Sequence, residues 1–391
     1  MNFIKLGECN KKLLYPLLGG IFKIIVNIIL YLVPDKAKIN KHPFISGMNA
    51  GLGMSLAIIP FIYSLKKLKI NNIERINPGK VVDDNNMSND TKIKCEKYII
   101  IILCSILDFT QKILVFVFSK DITNNVWIFN IIFLNVFTSM LVNNPIYKHQ
   151  YLSSGIMVLG GIGLNIINLY NMKLNELPLL FLSIFIEIIY SLTIVLAKYG
   201  MDYRFCSPFE ITFYEGIFAL IINIIFLLIS TYIPLKQNFK YTKLLKLCED
   251  DDGKKYLDNI ILYFKNIDFT EVVLFIVIMV SRVFFNLFSH FTIKHFTSSH
   301  VVLLLIMGEI SLDWAKNSTL ELVFTIIIFI IELFMLLIFC EIIELKFCGL
   351  SDDTRKNIEK RAKLVVIDGG KSFDSVGIGL ELSSNISSQG N

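Results

Sequence analysis

Ionisable side chains inside long apolar stretches are the residues of this sequence best suited to chemistry. A charge in the middle of a membrane costs at least about 2.5–3.5 kcal/mol, so such side chains normally face the interior of a helix bundle. Acids outnumber bases among them, which favours a cationic or zwitterionic ligand over a polyphosphate, since a polyphosphate needs several Arg or Lys. The residues are Lys23, Asp108, Lys112, Glu187, Glu215, Arg282, Glu309, Asp313 and Glu332.

Asp108 and Lys112 are four residues apart in one apolar stretch, so a helix places them on one face. The simplest interpretation is a pair that neutralises itself. The alternative is that Asp108 faces Arg282 across the interface between two halves of the chain, and a ligand binds beside that pair or separates it. The candidate ligand-binding residues are Asp108, Lys112, Glu187, Arg282, Asn135 and Glu309.

Three carboxyl groups are candidates for proton exchange. Glu187 stands alone as a charge in the middle of its apolar stretch. Glu309 and Asp313 share a helix face at a spacing of four, and two neighbouring carboxylates favour retention of a proton. That pair could instead form a polar vestibule near Trp314. We predict Glu187, Glu309 and Asp313 as the proton-coupling residues, whereas Glu215 could simply bond the neighbouring backbone.

Signatures of an enzyme are weak in this chain. It has no HExxH or HxxxxD motif, and its seven cysteines form neither a CxxC pair nor a metal-binding spacing. We therefore predict no enzymatic activity, no metal site and no cofactor. A membrane-embedded transferase is the alternative from a different functional class, and it would need a nucleophile, a metal or an acid–base pair.

The overall composition indicates what must position these residues. Of the 391 residues, 54% are hydrophobic and 18% are charged, and the mean hydropathy is +0.61. Soluble domains carry about 25% charged residues. These values exclude a soluble enzyme, a disordered protein and a secreted disulfide-linked domain. The net charge of +5 is spread over loops, so no nucleic-acid-binding face is expected.

Ten continuous apolar segments are each close to the 20 or so residues that a membrane helix needs. Their continuity argues against barrel strands, which alternate apolar and polar residues. The sequence thus predicts an all-α polytopic membrane protein with ten transmembrane helices. The segments are 13–33, 44–65, 97–118, 124–144, 151–170, 177–197, 208–233, 269–293, 299–316 and 320–345.

The ten segments divide into two five-helix repeats. We predict an N-terminal tail over 1–12, a first repeat over 13–170, a second over 171–345 and a disordered C-terminal tail over 346–391. Lys and Arg are more frequent in the short loops on the side of both termini, which the positive-inside rule assigns to the cytosol.

A similarity between the two halves of the sequence supports the two repeats. Polar positions coincide at an offset of 174 residues, although their identities differ. The offset crosses an odd number of segments, so the halves would have opposite orientation, as in the inverted repeats of transporters. The matched pairs are Asp108 with Arg282, Lys120 with Lys294, Thr123 with Thr297, Asn135 with Glu309, and Ser139 with Asp313.

Several motifs resemble the drug/metabolite transporter superfamily, and most closely the F branch of solute carrier family 35. Its helix-7 pattern appears as Glu215 to Phe218, and its helix-8 ending as Thr292 to Lys294. A glycine-rich fifth helix is also similar. The resemblance covers roughly 20–345 and implies ten helices and transport by alternating access. The matching stretches are HPFISGMNAGLGM (42–54), LDFT (107–110), FEITFYEGIFALII (209–222) and FFNLFSHFTIK (284–294).

Departures from that family leave the substrate open. The Leu-Arg of its fourth helix is replaced by Phe129 and Asn130, and its charged residues early in the ninth helix by the apolar run 301–306. Arg282 stands at an apolar position of the family. Transporters of the chloroquine-resistance type are a more distant similarity.

Taken together, these features predict a secondary transporter of a small polar or cationic metabolite, with proton coupling as an option. A nucleotide-sugar transporter of the same fold is the alternative. We expect a multi-pass protein of an internal membrane (Golgi, vacuole or lysosome-like) rather than of the plasma membrane. Its partners would be the solute and the lipid bilayer, with a homodimer as a further option.

Overall fold

The computed structural model describes most of the helical segments of this chain. The described residues are 4–6, 14–32, 38–70, 87–117, 129–142, 146–171, 177–235, 247–250, 253–265, 267–302, 304–305, 319–345, 350, 354 and 357–358.

The described chain is mainly α-helical, as the sequence predicts. Short 3-10 helices lie at Lys38–Lys41 and Ser298–Val301. The α-helices are α1 (Leu14–Leu32), α2 (Pro43–Ser55), α3 (Ile58–Ile70), α4 (Met87–Val117), α5 (Asn130–Leu141), α6 (Lys148–Asn171), α7 (Leu177–Tyr203), α8 (Pro208–Tyr232), α9 (Ile260–Lys265), α10 (Phe269–His295) and α11 (Thr319–Phe339).

Five described helical stretches are long and apolar enough to cross a membrane, and one of them consists of α2 and the first part of α3. Three shorter apolar helices accompany them, at Leu14–Ile29, Asn130–Leu141 and Ile326–Phe339. The apolar composition of these helices is that of an integral membrane protein, while a total of ten crossings stays a prediction. The five long spans are Pro43–Ser64, Cys95–Val115, Leu180–Tyr203, Pro208–Tyr232 and Phe269–His295.

Two of the predicted segments differ from the simple expectation. The second segment is broken into α2 and α3 just before Pro60. Proline has no N–H and its ring clashes with the carbonyl four residues earlier, here that of Leu56, so the α-helical ladder cannot continue unbroken. Most of the ninth segment, 299–316, lies outside the described residues.

Small residues allow α2 and α8 to pack closely. A Cβ atom on Gly216 of α8 would lie 2.5 Å from the backbone nitrogen of Ser55, and one on Gly51 would lie 2.7 Å from that of Leu220. The Gly47–Gly51 pair of the sequence therefore lies at a helix crossing, which is the packing role that small residues spaced by four have in membranes.

Two short strand pairs lie at opposite ends of the helices and were not predicted. β1 (Ile4–Leu6) pairs antiparallel with β4 (Ile343–Leu345), with Lys5 opposite Glu344. β2 (Cys248–Glu249) pairs with β3 (Lys255–Tyr256) in a hairpin of the long connection 234–268. The first pair joins the residues before α1 to those after α11.

Ion pairs tie helix ends together on the β1–β4 side. Arg204 is 2.7 Å from Glu96, and Lys97 is 2.7 Å from Glu210. Glu210 also completes a capping box at the start of α8. These pairs join α4, near the start of its apolar span, to the end of α7 and the start of α8.

Candidate functional site

Asp108 and Lys112 form an ion pair on α4. Their Oδ2 and Nζ atoms are 2.7 Å apart, and the Nζ atom also lies 3.4 Å from the sulfur of Met54 on α2. The Asp108 side chain is 11% exposed and the Lys112 side chain is 20% exposed. The i,i+4 pairing predicted from the sequence is therefore confirmed, and it lies inside the helix bundle.

Glu215 of α8 adds a second carboxyl group to this region. It is 2% exposed, and it interacts electrostatically with Asp108 and Lys112. Within the described part of the chain, its Oε1 atom has no hydrogen-bond partner. A buried carboxylate oxygen without a partner is costly, and protonation, a water molecule or a bound ligand would each relieve that cost.

His290 of α10 faces this carboxyl group. Its Nε2 atom is 3.6 Å from Glu215 Oε2, and its Nδ1 atom is 2.8 Å from Thr212 Oγ1. The Thr212 hydroxyl donates to the Pro208 carbonyl, one turn back on α8, so its oxygen accepts from the imidazole. The lone pair of Nε2 then faces Glu215, and one proton between the two groups relieves their repulsion.

A second polar network surrounds Glu187 of α7. The Asn130 side-chain amide donates to the Glu187 carboxylate, and the Ser191 hydroxyl donates to Asn130 Oδ1 at 2.7 Å. Tyr190 of α7 lies near Glu187 and is also within electrostatic range of Asp108 and Glu215. The two carboxyl-bearing regions therefore share one polar interior.

Asn135 joins three elements rather than the central carboxyl groups. Its amide donates to Ser154 Oγ of α6 at 3.0 Å, and its oxygen accepts from Ser299 at 2.6 Å. Asn135 thus joins α5 to α6 and to the 3-10 helix that follows α10. These hydrogen bonds give it a packing role in this arrangement.

Arg282 binds α2 instead of facing Asp108. Its guanidinium donates to the Ser46 carbonyl at 2.6 Å, to the Ser46 hydroxyl at 2.9 Å and to Asn49 Oδ1 at 3.3 Å. No ion pair joins Arg282 to Asp108, although both residues are described. The pairing of these two across the halves, one of two alternatives raised by the sequence, is thus replaced by the Asp108–Lys112 pair.

Replacing Arg282 with methionine should destabilise the bundle. The change keeps an unbranched stem but removes the guanidinium, so Ser46 and Asn49 lose their buried donor. We expect the free energy of unfolding to fall by about 2–3 kcal/mol. Unfolding in mixed detergent micelles measures this, with the exposed Lys294→Met of the same helix as the control. Equal stability of the two variants would contradict the structural role of Arg282.

Two predicted site residues, Glu309 and Asp313, lie outside the described residues. Glu215, His290 and Thr212 are the members of the cluster that the sequence did not single out as site residues. Glu215 was noted only as a buried charge. These three are polar residues in otherwise apolar segments, which is a signal that could have marked them as candidates. Nothing in the local sequence, however, indicates that α8 and α10 turn them toward each other.

Among the described residues, one group has side chains that could hold a metal ion, although the spacing in the sequence predicts none. It consists of His42, Cys248 and Asp258, at the end of the bundle opposite the β1–β4 pair. Burial, aided by Asp258, raises the pKa of the Cys248 thiol to about 12.

Comparisons with known proteins leave the resemblance to drug/metabolite transporters as a prediction. No family model matches the chain, and no curated protein is significantly similar to it. The functional argument therefore depends on the buried cluster of Asp108, Lys112, Glu215 and His290, which is the candidate site of a polytopic helical protein.

Proposed function

We propose that the protein is a secondary transporter that moves a small cationic or zwitterionic solute through a helical bundle by alternating access. One observation carries the proposal: the partnerless carboxylate oxygen of Glu215 is buried beside the Asp108–Lys112 pair. Ionisable residues at membrane depth are expensive and mark ion and solute pathways. Buried polar side-chain atoms normally have a hydrogen-bond partner, so this oxygen is the point at which a proton or a cationic group of the solute would act.

The charge balance of the site supports a cationic group on the solute. Asp108, Glu187 and Glu215 contribute carboxyl groups, and Lys112 neutralises one of them. Arg282 is occupied by α2. Among the described residues, the site does not offer the several arginine and lysine partners that the phosphates of a nucleotide sugar need.

The pattern of helix packing supports the inverted repeat that alternating access uses. If the halves are equivalent, α1 corresponds to α7 and α10 to α4. The packing of α1 on α10 then has its counterpart in that of α4 on α7, and α10 on α2 has its counterpart in α4 on α8. In the same correspondence α2 is equivalent to α8 and α6 to α11, so the contacts of α2 with α8 and of α6 with α11 are each their own counterpart. Such paired contacts are expected for halves related by a pseudo-twofold axis.

Contacts at one end of the bundle support an even number of crossings. β1, before α1, pairs with β4, after α11. On the same side, His149 Nε2 lies 3.4 Å from Glu341 Oε1, and the Tyr203 hydroxyl donates to the Val142 carbonyl. Both ends of the helical region would then lie on one side, which the distribution of Lys and Arg assigns to the cytosol.

Uptake into proteoliposomes tests the proposed function directly. The panel contains amino acids, cationic peptides and nucleotide sugars, each with and without an acidic exterior. We expect saturable uptake of a cationic or zwitterionic compound that is faster with the proton gradient. Uptake restricted to nucleotide sugars would contradict the proposed charge selectivity. No uptake, together with consumption of a sugar or acyl donor, would favour a membrane-embedded transferase.

Cysteine labelling tests the orientation. Cys95 is exposed near the start of a long span, on the side of the Glu96–Arg204 pair. In a variant that lacks Cys9 and Cys348, a membrane-impermeant maleimide should label Cys95 only from the cytosolic face. A Lys255→Cys substitution in the exposed part of β3 should be labelled only from the opposite face. Labelling of both positions from one face would refute the proposed topology.

A further inference from the structure

Three potential metal ligands meet at the end of the bundle that carries the β2–β3 hairpin. His42 directly precedes α2, Cys248 lies in β2, and Asp258 lies between β3 and α9. All three are buried, with exposed fractions of 8%, 7% and 0%. His42 Nδ1 is 2.7 Å from Asp258 Oδ1 and 3.4 Å from Cys248 Sγ. One ligand atom from each residue lies within 4.8 Å of the others.

Hydrogen bonds satisfy the His42–Asp258 pair and the Cys248 thiol separately, and they leave the 3.4 Å approach of the sulfur to His42 Nδ1 without a proton of its own. The Nδ1 atom of His42 has either one proton or one lone pair, so it can bond only one of its two neighbours. The Cys248 thiol already has the Lys41 carbonyl as an acceptor, at 3.3 Å. A Cys–His–Asp relay for nucleophilic catalysis is also excluded, because such a relay needs the thiol and the carboxylate on different ring nitrogens.

We propose that His42, Cys248 and Asp258 together bind one Zn²⁺ ion. A thiolate and an imidazole select zinc over Mg²⁺ and Ca²⁺, which prefer all-oxygen ligands. Zinc bonds of about 2.0–2.3 Å separate tetrahedral ligand atoms by roughly 3.3–3.6 Å. The sulfur–nitrogen distance already fits. The nitrogen–oxygen distance has to widen by about 0.6 Å, and the sulfur–oxygen distance, which is at most 4.8 Å, has to reach about 3.6 Å, so binding requires small movements of the His42 ring and the Cys248 side chain.

The surroundings hold these ligands in place. The second carboxylate oxygen of Asp258 accepts from the backbone N–H groups of Phe44 at 2.7 Å and Ile45 at 3.0 Å. It thereby caps the start of α2, where the His42 side chain makes no capping bond. The edge of the Tyr263 ring packs on the His42 ring at 5.1 Å. Outer partners of this kind orient metal ligands and raise metal affinity.

Zinc bound here would fasten the connection 234–268 to the start of α2. His42 is more than 200 residues from Cys248 and Asp258 in sequence, so the ion would link parts of the chain that local structure does not join. Three protein ligands leave one coordination position for water or a further ligand. The inference is independent of the transport proposal, because none of its residues belongs to the cluster around Glu215.

Metal titration of the full chain in detergent tests the inference, with Co²⁺ as the optical probe. After removal of metal by a chelator, we expect one Co²⁺ per chain with a thiolate-to-cobalt charge-transfer absorption that one equivalent of Zn²⁺ abolishes. Loss of an outer partner typically costs 10–100-fold in metal affinity, so removal of a ligand in Cys248→Ser should weaken zinc binding by about 100-fold or more. The charge-transfer band should disappear as well.

Cys206→Ser is the matched control. Cys206 is also buried, burial likewise raises its pKa to about 12, and it lies in the connection before α8. It should keep the affinity and the band of the wild type. Absence of stoichiometric metal, binding without the thiolate band, or equal affinity of Cys248→Ser would each overturn the inference. The wild-type spectrum decides the matter even where a variant does not fold.

Discussion

A Glu215→Gln substitution should lower proton-driven uptake at least tenfold, which corresponds to about 1.4 kcal/mol. Glutamine has the same shape but can neither release a proton nor bear a charge. It can still donate a hydrogen bond toward His290 Nε2, so the bundle should fold normally. We propose that Glu215, rather than Glu187 alone, exchanges the coupled proton, since its carboxyl group faces His290. The remaining uptake should then no longer respond to the pH gradient.

Initial uptake rates with and without an acidic exterior measure this effect. Glu249→Gln provides the control, because it makes the same chemical change at an exposed position of the β2–β3 hairpin. Its uptake should match that of the wild type. A Glu215→Gln protein that folds, transports at the normal rate and still responds to the gradient would rule out Glu215 as the coupling residue.

The Gly216→Ala substitution should produce the largest loss of stability. The added Cβ would lie 2.5 Å from the backbone nitrogen of Ser55, and a backbone atom cannot swing aside as a flexible side chain does. The helices α2 and α8 must separate, which costs about 3 kcal/mol in an overpacked interface. This crossing lies one residue from Glu215, so separation would also disturb the site.

Gly155→Ala of α6 is the matched control, since its Cβ would have no atom within 4 Å. Alanine favours a helix over glycine by up to about 1 kcal/mol, so this variant should be as stable as the wild type or slightly more stable. Unfolding in mixed micelles compares the two. Similar unfolding midpoints for both variants would mean that the α2–α8 crossing tolerates separation.

Local sequence rules succeeded where the cause is local. The Asp108–Lys112 pair follows from helical spacing, because residues four apart share a face whatever the tertiary fold. The interruption between α2 and α3 also has a local cause, the covalent structure of Pro60, although the segment 44–65 was predicted as one continuous helix. The role of Gly51 in packing follows from its spacing with Gly47, but its partner on α8 could not be read from that spacing.

Sequence rules failed where two distant elements must meet. The offset that aligns Asp108 with Arg282 concerns equivalent positions of two halves, and equivalent positions need not touch. Arg282 instead reaches Ser46, a residue 236 positions away. The rotation of α10 about its axis decides this, and rotation depends on how side chains of neighbouring helices interlock.

The amino-acid sequence by itself determined that the chain forms long apolar helices with a few buried charges, because hydropathy and helical periodicity are properties of neighbouring residues. Only the tertiary structure decided which of those charges meet. It brought His290 to Glu215, and it joined His42, Cys248 and Asp258 across more than 200 residues. Such contacts arise from the crossing and rotation of packed helices, and no short stretch of sequence encodes them.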